Sequence, residues 1–168
     1  MPLVRRRGEG WALAEDGWVH VEAGAPVPPG DAIVGWARYL EEREALWARA
    51  GRLGVRVPPG VEVPLLGAAS PALAVVAVEF PKFVDGRGYS IARLLRDRYG
   101  YRGELRAVGQ VLRDQLAMMA RCGFDAFELA AGKSAEDALD AFAEIPVAYQ
   151  PAADERLPLW KRHARPAP

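Results

Sequence analysis

Cysteine and histidine are almost missing from this 168-residue chain: Cys122 stands alone, and only His20 and His163 are present. An intrachain disulfide, a CxxC redox pair and a cysteine-based zinc site are therefore excluded, and a histidine triad or metal site has little to draw on. Net charge is missing too. Lys plus Arg and Asp plus Glu both total 22, so no global field draws the protein to nucleic acid or to an anionic membrane. No stretch approaches ~20 uncharged apolar residues, so no membrane-spanning segment is expected. Arg5, Arg6 and Arg7 lead into Trp11, Glu15 and Asp16 rather than into an apolar run, which does not read as a secretory signal. With no signal and one cysteine, the expected location is the cytoplasm.

Several chemical motifs are absent as well. There is no GxxxxGK(S/T) phosphate loop and no GxSxG elbow, and the nearest approach to a dinucleotide fingerprint is Gly86 to Ile91. Its third glycine is replaced by Ile91, whose bulk opposes close helix-to-strand packing, and no acid ends the following strand, where Gly109 and Gln110 stand. No flavin, nicotinamide, haem or iron–sulfur motif is visible, so no cofactor and no metal are expected.

What is present is a dense stretch from Ala74 to Ser90, AVVAVEFPKFVDGRGYS. A valine-rich run ends in Glu79, Pro81 and a glycine-punctuated loop, the pattern of a buried parallel strand feeding a loop and then a helix. Ser90 reads as that helix's N-cap, with Ile91, Leu94 and Leu95 inward and Arg93, Arg96 and Asp97 outward. The alternation continues with a strand at Leu105 to Val108 and a helix carrying Leu112, Gln115, Leu116 and Met119 on one face. A strand over Phe124 to Leu129 follows, then a helix from Ser134, capped with Asp137, through Ile145 to Pro146. Upstream, Trp11 to Ala14 and Trp18 to Val21 around Asp16 and Gly17 predict a β-hairpin. A strand is expected over Ala32 to Trp36, a helix from Leu40 to Gly51 or Gly54 with Leu40, Glu44 and Trp47 on one face, and a short strand over Val55 to Val57.

Repeated strand–helix units imply right-handed βαβ connections, hence an α/β fold with a mostly parallel sheet. An open three-layer sandwich is favoured over a partial barrel, because about five strands are too few to close a (β/α)8 barrel. A chain of this length buries roughly 70% of its unfolded surface, enough for a single domain over residues 1–150. Within it, 1–30 is the hairpin and its proline-rich connector, and 151–168 is a flexible tail with Lys161, Arg162, His163 and Arg165. An exposed sheet edge beside the hairpin would let two copies pair as a homodimer.

Ligands of such sheets sit beyond the carboxyl ends of the strands. Those ends carry Glu79, Lys82, Asp85, Gly86, Arg87 and Gly88; then Gln110 and Arg113; then Glu128 and Lys133. Between Lys82 and Arg113 there are eight basic and three acidic side chains, whereas Phe124 to Glu155 has eight acids and the single base Lys133. Lys82, Arg87 and Arg113 beside a helix N-terminus would suit a small oxyanion, with Asp85 and Arg87 as the catalytic candidates. The competing reading is that Lys82 and Arg87 are solvated loop charges and Asp85 caps a turn. Cys122, at a helix end, reads as a small buried hydrophobe rather than a reactive thiolate.

The segments EFPKFVDGRGYSIARLLRDRYGYRGELRAVGQVLRDQL and RCGFDAF resemble a bacterial family of unknown function described as an oxidoreductase involved in sulfite reduction. The resemblance is close from Val75 to Phe127. It implies a setting beside sulfite reductase and the reductase acting on phosphoadenylyl sulfate, near which members are encoded. Two positions depart from the family pattern, with Gln110 where the family has Asp and Val84 where it has Thr; many members also lack an acid at the position of Glu128. A catalytic carboxylate at 110 is thus absent, and Gln110 can only hydrogen-bond. Three functions are weighed: an accessory protein of assimilatory sulfate and sulfite reduction binding a sulfur oxyanion, a non-catalytic scaffold docking on sulfite reductase, another sulfate-assimilation enzyme or its electron donor, and an autonomous oxidoreductase.

Overall fold

The computed structural model describes residues 2–130, 132, 134–144, 152 and 153. In chain order the strands are β1 (Leu3–Arg7), β2 (Gly10–Ala14), β3 (Val19–His20) and β4 (Ala32–Gly35). Helices α1 (Trp36–Glu41) and α2 (Arg43–Ala48) then lead to β5 (Leu53–Val57), and α3 (Val63–Ala69) leads to β6 (Val75–Phe80). Helix α4 (Arg87–Asp97) joins β6 to β7 (Glu104–Gly109), α5 (Leu116–Arg121) joins β7 to β8 (Ala126–Glu128), and α6 (Ala135–Asp140) follows. None of these helices is long and apolar enough to cross a membrane.

All eight strands form one sheet in the order β2-β1-β8-β7-β6-β5-β4-β3. The five pairings from β3 to β8 are parallel, and β1 is antiparallel to both β2 and β8. The expectation of a mostly parallel sheet is therefore corrected to a mixed one. The N-terminal hairpin is present, but it is built from β1 and β2, with Arg6 opposite Trp11, rather than from 11–14 and 18–21. Gly8 at φ +59 makes the turn, and Leu3 and Val4 are buried, so the arginine-rich start is an interior strand of the sheet. The segment at 19–20 pairs in parallel with β4 instead.

The three-layer sandwich is also corrected. From β8 to β3 the order runs without reversal, and right-handed crossovers that never reverse leave every helix on the same side. Val34, Val55, Val76, Val78, Leu105 and Phe127 accordingly share one core with Trp36, Leu46, Leu66, Leu95, Leu116 and Ala138 of the six helices. The alternate side chains Ile33, Val75, Ala77 and Val108 form a second, small cluster with Trp18 on the face opposite the described helices. That face is concave. His20 on β3 and Glu128 on β8 are five strands apart in the order, which in a flat sheet would be about 24 Å, yet their side chains are 2.9 Å apart. Gly54 permits the curl, since a Cβ there would come within 3.0 Å of Ile33 and Val75.

Local differences follow from packing. Helix α4 starts at Arg87 with Gly86 in the N-cap position, three residues before Ser90, which lies inside the helix. Its buried stripe is Ile91, Ala92 and Leu95, while Leu94 is exposed. Arg96, expected in water, bonds Asp125 and three backbone carbonyls. The first helical region is two short helices burying Trp36, Tyr39 and Leu46, leaving Leu40 and Trp47 outside. Ser134 caps α6 as expected, accepting from the Asp137 amide. Lys133, the helix end at Ile145 and Pro146, and Lys161, Arg162, His163 and Arg165 lie outside the described residues. Of the expected tail only Ala152 and Ala153 are described, with the Ala153 amide on the Arg121 carbonyl.

Candidate functional site

The loop from Pro81 to Gly86 follows β6 at the carboxyl end of the sheet, where a ligand was expected. Glu79 accepts a hydrogen bond from Arg56 Nη2 at 2.6 Å. Lys82 is exposed. Asp85 and Arg87 hold each other: Oδ1 accepts from the Arg87 amide and Nε, and Oδ2 from Nη2 at 2.7 Å. The hydrogen bond from Arg87 keeps the Asp85 carboxyl below its ordinary range. Gly88 is required by packing, because a Cβ there would lie 2.4 Å from the Phe80 ring. Gln110 is exposed, and its backbone amide donates to the Phe80 carbonyl at 2.8 Å.

Arg113 faces elsewhere. Its guanidinium donates to Asp137 at 2.8 Å and to Glu144 at 2.5 Å, tying the start of the α5 segment to α6. The structure thus brings Asp85 to Arg87 and Glu79 to Arg56, but engages Arg113 with Asp137 of α6 and with Glu144 beyond its end. Arg87 reaches over the loop after β5, with Nη1 3.9 Å from where a Cβ on Gly60 would stand.

The concave face holds the densest polar constellation among the described residues. Arg106, in the middle of β7, is wholly buried and donates to Asp16 at 2.7 Å, Glu128 at 2.9 Å and Glu104 at 2.7 Å. Burial alone would favour loss of its proton, but the three carboxylates outweigh that and raise its pKa. Burial likewise pushes the Asp16 and Glu128 carboxyls up, and hydrogen bonds from Arg106, joined at Glu128 by His20, more than reverse it, holding both below the ordinary range. His20 Nε2 lies 2.9 Å from Glu128 Oε1 and 3.6 Å from Asp16 Oδ2, and Arg5 pairs with Glu104 at 2.9 Å. The loop before β3 closes over this group, with Trp18 packed on Ile33, Val75 and Val108.

Asp16, His20 and Glu128 place ligand-type atoms within 4.8 Å of one another, the donor chemistry of a cation site. Arg106 Nη1 already bonds both carboxylates, so a guanidinium supplies the positive charge that a metal would bring. The cluster is an ion-pair network rather than a metal centre.

Beside the network opens a cleft of about 400 Å³ lined by His20, Trp36, Arg38, Arg56, Pro58 and Glu79, among others. Arg38 is held by Glu42 and by the Ala25 carbonyl, whereas Glu79 occupies only one nitrogen of Arg56. The cleft combines an apolar wall, a strand-end guanidinium and one face of an imidazole, as small-molecule sites do.

Sequence reasoning missed Asp16, His20, Arg56 and Arg106. A signal existed for Arg106: a charged residue at the centre of a strand flanked by helices, alternating with Leu105 and Ala107, marks a second buried face. Nothing in the sequence linked it to Asp16, ninety positions away. Cys122 is half-buried at the C-cap of α5, bordering an apolar groove with Tyr89, Leu94 and Met118.

Residues 54–160 match a family described as bacterial protein of unknown function (DUF934). No curated protein and no solved structure matches the chain.

Proposed function

The chain belongs to that family, with the match spanning 54–160, and on this premise we propose that it is an accessory protein of assimilatory sulfate and sulfite reduction. In this reading it holds a small sulfur oxyanion at the carboxyl ends of its parallel strands. The sulfur assignment rests on the resemblance of the FPKF, DGRGYS, RGELRAVG and RCGFD segments. The observation that carries the binding is the strand-end cleft of about 400 Å³, in which Arg56, bonded among the described residues by Glu79 at Nη2, keeps Nε and Nη1 for a further acceptor. Lys82 and Arg87 stand on the next loop at the same end and add positive field. Sulfite alone is smaller than this volume, so it binds with water or as part of a larger molecule.

Calorimetric titration of sulfite into the full chain tests this reading. Binding weakens with added salt, is lost in the Lys82→Ala, Arg87→Ala double variant and is weakened about tenfold in Arg56→Ala. Affinity that is unchanged in both variants removes the oxyanion site.

A second reading, a scaffold that docks on sulfite reductase or its electron donor, is favoured by a separate feature. Phe83 and Val84, at the tip of the loop after β6, are 48% and 84% exposed, unusual for side chains that gain from burial. Co-purification with sulfite reductase that survives loss of Lys82 and Arg87 but not Phe83→Asp would select the scaffold.

A further inference from the structure

His20 is the one histidine among the described residues, and its two ring nitrogens have different surroundings. The backbone around it is fixed by parallel pairing: the Val19 amide donates to Asp31 and the Val21 amide to Ile33, at 3.0 and 2.9 Å. Nε2 is turned into the concave network, 2.9 Å from Glu128 Oε1. Glu128 is 6% exposed, and with its carboxyl held below the ordinary range it can only accept. Arg106 Nη1 also lies 3.5 Å from Nε2, but it already donates to Asp16 and Glu128 at shorter distances, so the hydrogen-bond network assigns the hydrogen to Nε2. In the neutral ring this leaves the lone pair on Nδ1. The imidazole borders the cleft, and among the described residues Nδ1 has no hydrogen-bond partner.

We infer that His20 is an acid–base residue, with Nδ1 exchanging a proton with a small protonatable oxyanion held in the cleft, and with Glu128 and Arg106 as positioning residues. The inference rests on reading the cleft as an anion site. The ligand class is an anion with a titratable oxygen, a sulfur oxyanion such as sulfite or a carboxylate. In the transfer, the O–H bond of the protonated ligand breaks and its electron pair stays on oxygen. The proton forms an N–H bond at Nδ1, while Nε2–H stays on Glu128; the reverse step returns it. No oxidant or reductant takes part.

The surrounding charges suit that step. On the network side Asp16, Glu104 and Glu128 face Arg5 and Arg106, three negative groups against two positive, so one negative charge is left over as counter-charge to an imidazolium. On the cleft side Glu22, Arg38, Arg56 and Glu79 balance, so a bound anion adds charge where the ring can answer it. An orienting carboxylate behind one nitrogen and an open site before the other is the arrangement by which an imidazole shuttles protons in unrelated enzymes.

The test is nitrogen NMR of the full-length 15N-labelled chain in a His163→Gln background, so that a single ring reports. The free protein is expected to show the Nε2–H tautomer, and Glu128→Gln to lose it; an Nδ1–H tautomer in the unsubstituted network overturns the inference. Sulfite, acetate and sulfate are then titrated separately at mildly acidic pH, sulfate being the one of the three with no appreciable protonated form there. Saturable movement of the Nδ1 resonance with sulfite or acetate, exceeding that of Nε2 and absent with sulfate, supports it, and the more effective of the two identifies the ligand source. Arg56→Ala should weaken that response about tenfold, the loss of one charged hydrogen bond, while preserving the tautomer. If backbone amides around Arg56 and Glu79 shift saturably but Nδ1 does not, the acid–base role falls and the anion site stands. If no anion shifts those amides, the anion site fails and the inference falls with it.

Discussion

On the convex face of the sheet Val76, Val78, Leu105 and Phe127 meet helices; one residue away along the same strands, Glu79, Glu104, Arg106 and Glu128 meet one another or a basic partner across the concave face. Both faces bury side chains, Arg106 on the concave one completely, but by different means. The convex core gains from apolar area removed from water, which tolerates modest changes of shape. The concave network depends on Arg106 being matched by Asp16, Glu104 and Glu128 at once, and a buried charge without its partners is costly. A non-directional core gives stability, and a directional one gives a defined orientation to whatever borders it, here the ring of His20.

The sharpest way to break the comparison is Arg106→Ala, which takes the shared guanidinium from three facing carboxylates and leaves them only Arg5 and His20. It is expected to cost about 3–5 kcal/mol, measured by denaturant unfolding. If the network were merely surface charge, the loss would stay within about 1 kcal/mol. On the convex face, Gly88→Ala forces a methyl group onto the Phe80 ring, 2.4 Å away. An overpacking loss of about 1–3 kcal/mol is expected in the same measurement, because the first turn of α4 must lift from β6.

A third variant concerns the sheet's amino-terminal end, where burial raises the Asp125 carboxyl to about 6 even though Arg96 bonds it. A folded pKa above the unfolded value of 3.8 means that the native state binds the extra proton between those values. This contribution to stability is therefore fully present below 3.8 and is lost as pH rises through about 6. Asp125→Asn should remove that slope, changing the difference from wild type by on the order of 1–2 kcal/mol across the window. A parallel pair of profiles would place the proton elsewhere. Asp16 and Glu128 contribute the opposite slope, since their lowered values mean that their stabilisation is lost as pH falls through the folded pKa. The smallest effect is expected from Asp85→Asn, because Arg87 is exposed and Asp85 only half-buried, where solvent screening leaves an ion pair little net worth: no measurable shift of the unfolding midpoint, with any change confined to anion binding.

The strands with one continuous apolar signal were readable. Val75 to Phe80 lies where valine content and the Pro81 stop place it, and β7 and β8 are found within a residue or two of expectation. Helix faces were less so: Leu94 and Arg96 exchanged roles because Asp125 and the carbonyls at Tyr101, Gly103 and Gly123 offer Arg96 more than water does. Of the candidate site, Glu79, Lys82, Asp85 and Arg87 were legible as a strand-end group. His20 and Asp16 were not, since they belong to a segment that reads as one arm of a local hairpin.

By itself the sequence determined the alternation of strand and helix, the glycines at 88 and 109, where a Cβ would strike Phe80, and, with Cys122 alone, the impossibility of an intrachain disulfide. These follow from period, side-chain volume and residue type, which are local. Tertiary structure alone decided that the strand order from β8 to β3 runs without reversal, that the described helices fall on one face, and that the sheet curls until β3 meets β8. Those outcomes depend on which strands pair across long stretches of chain, and only that pairing puts His20 beside Glu128 and Arg106.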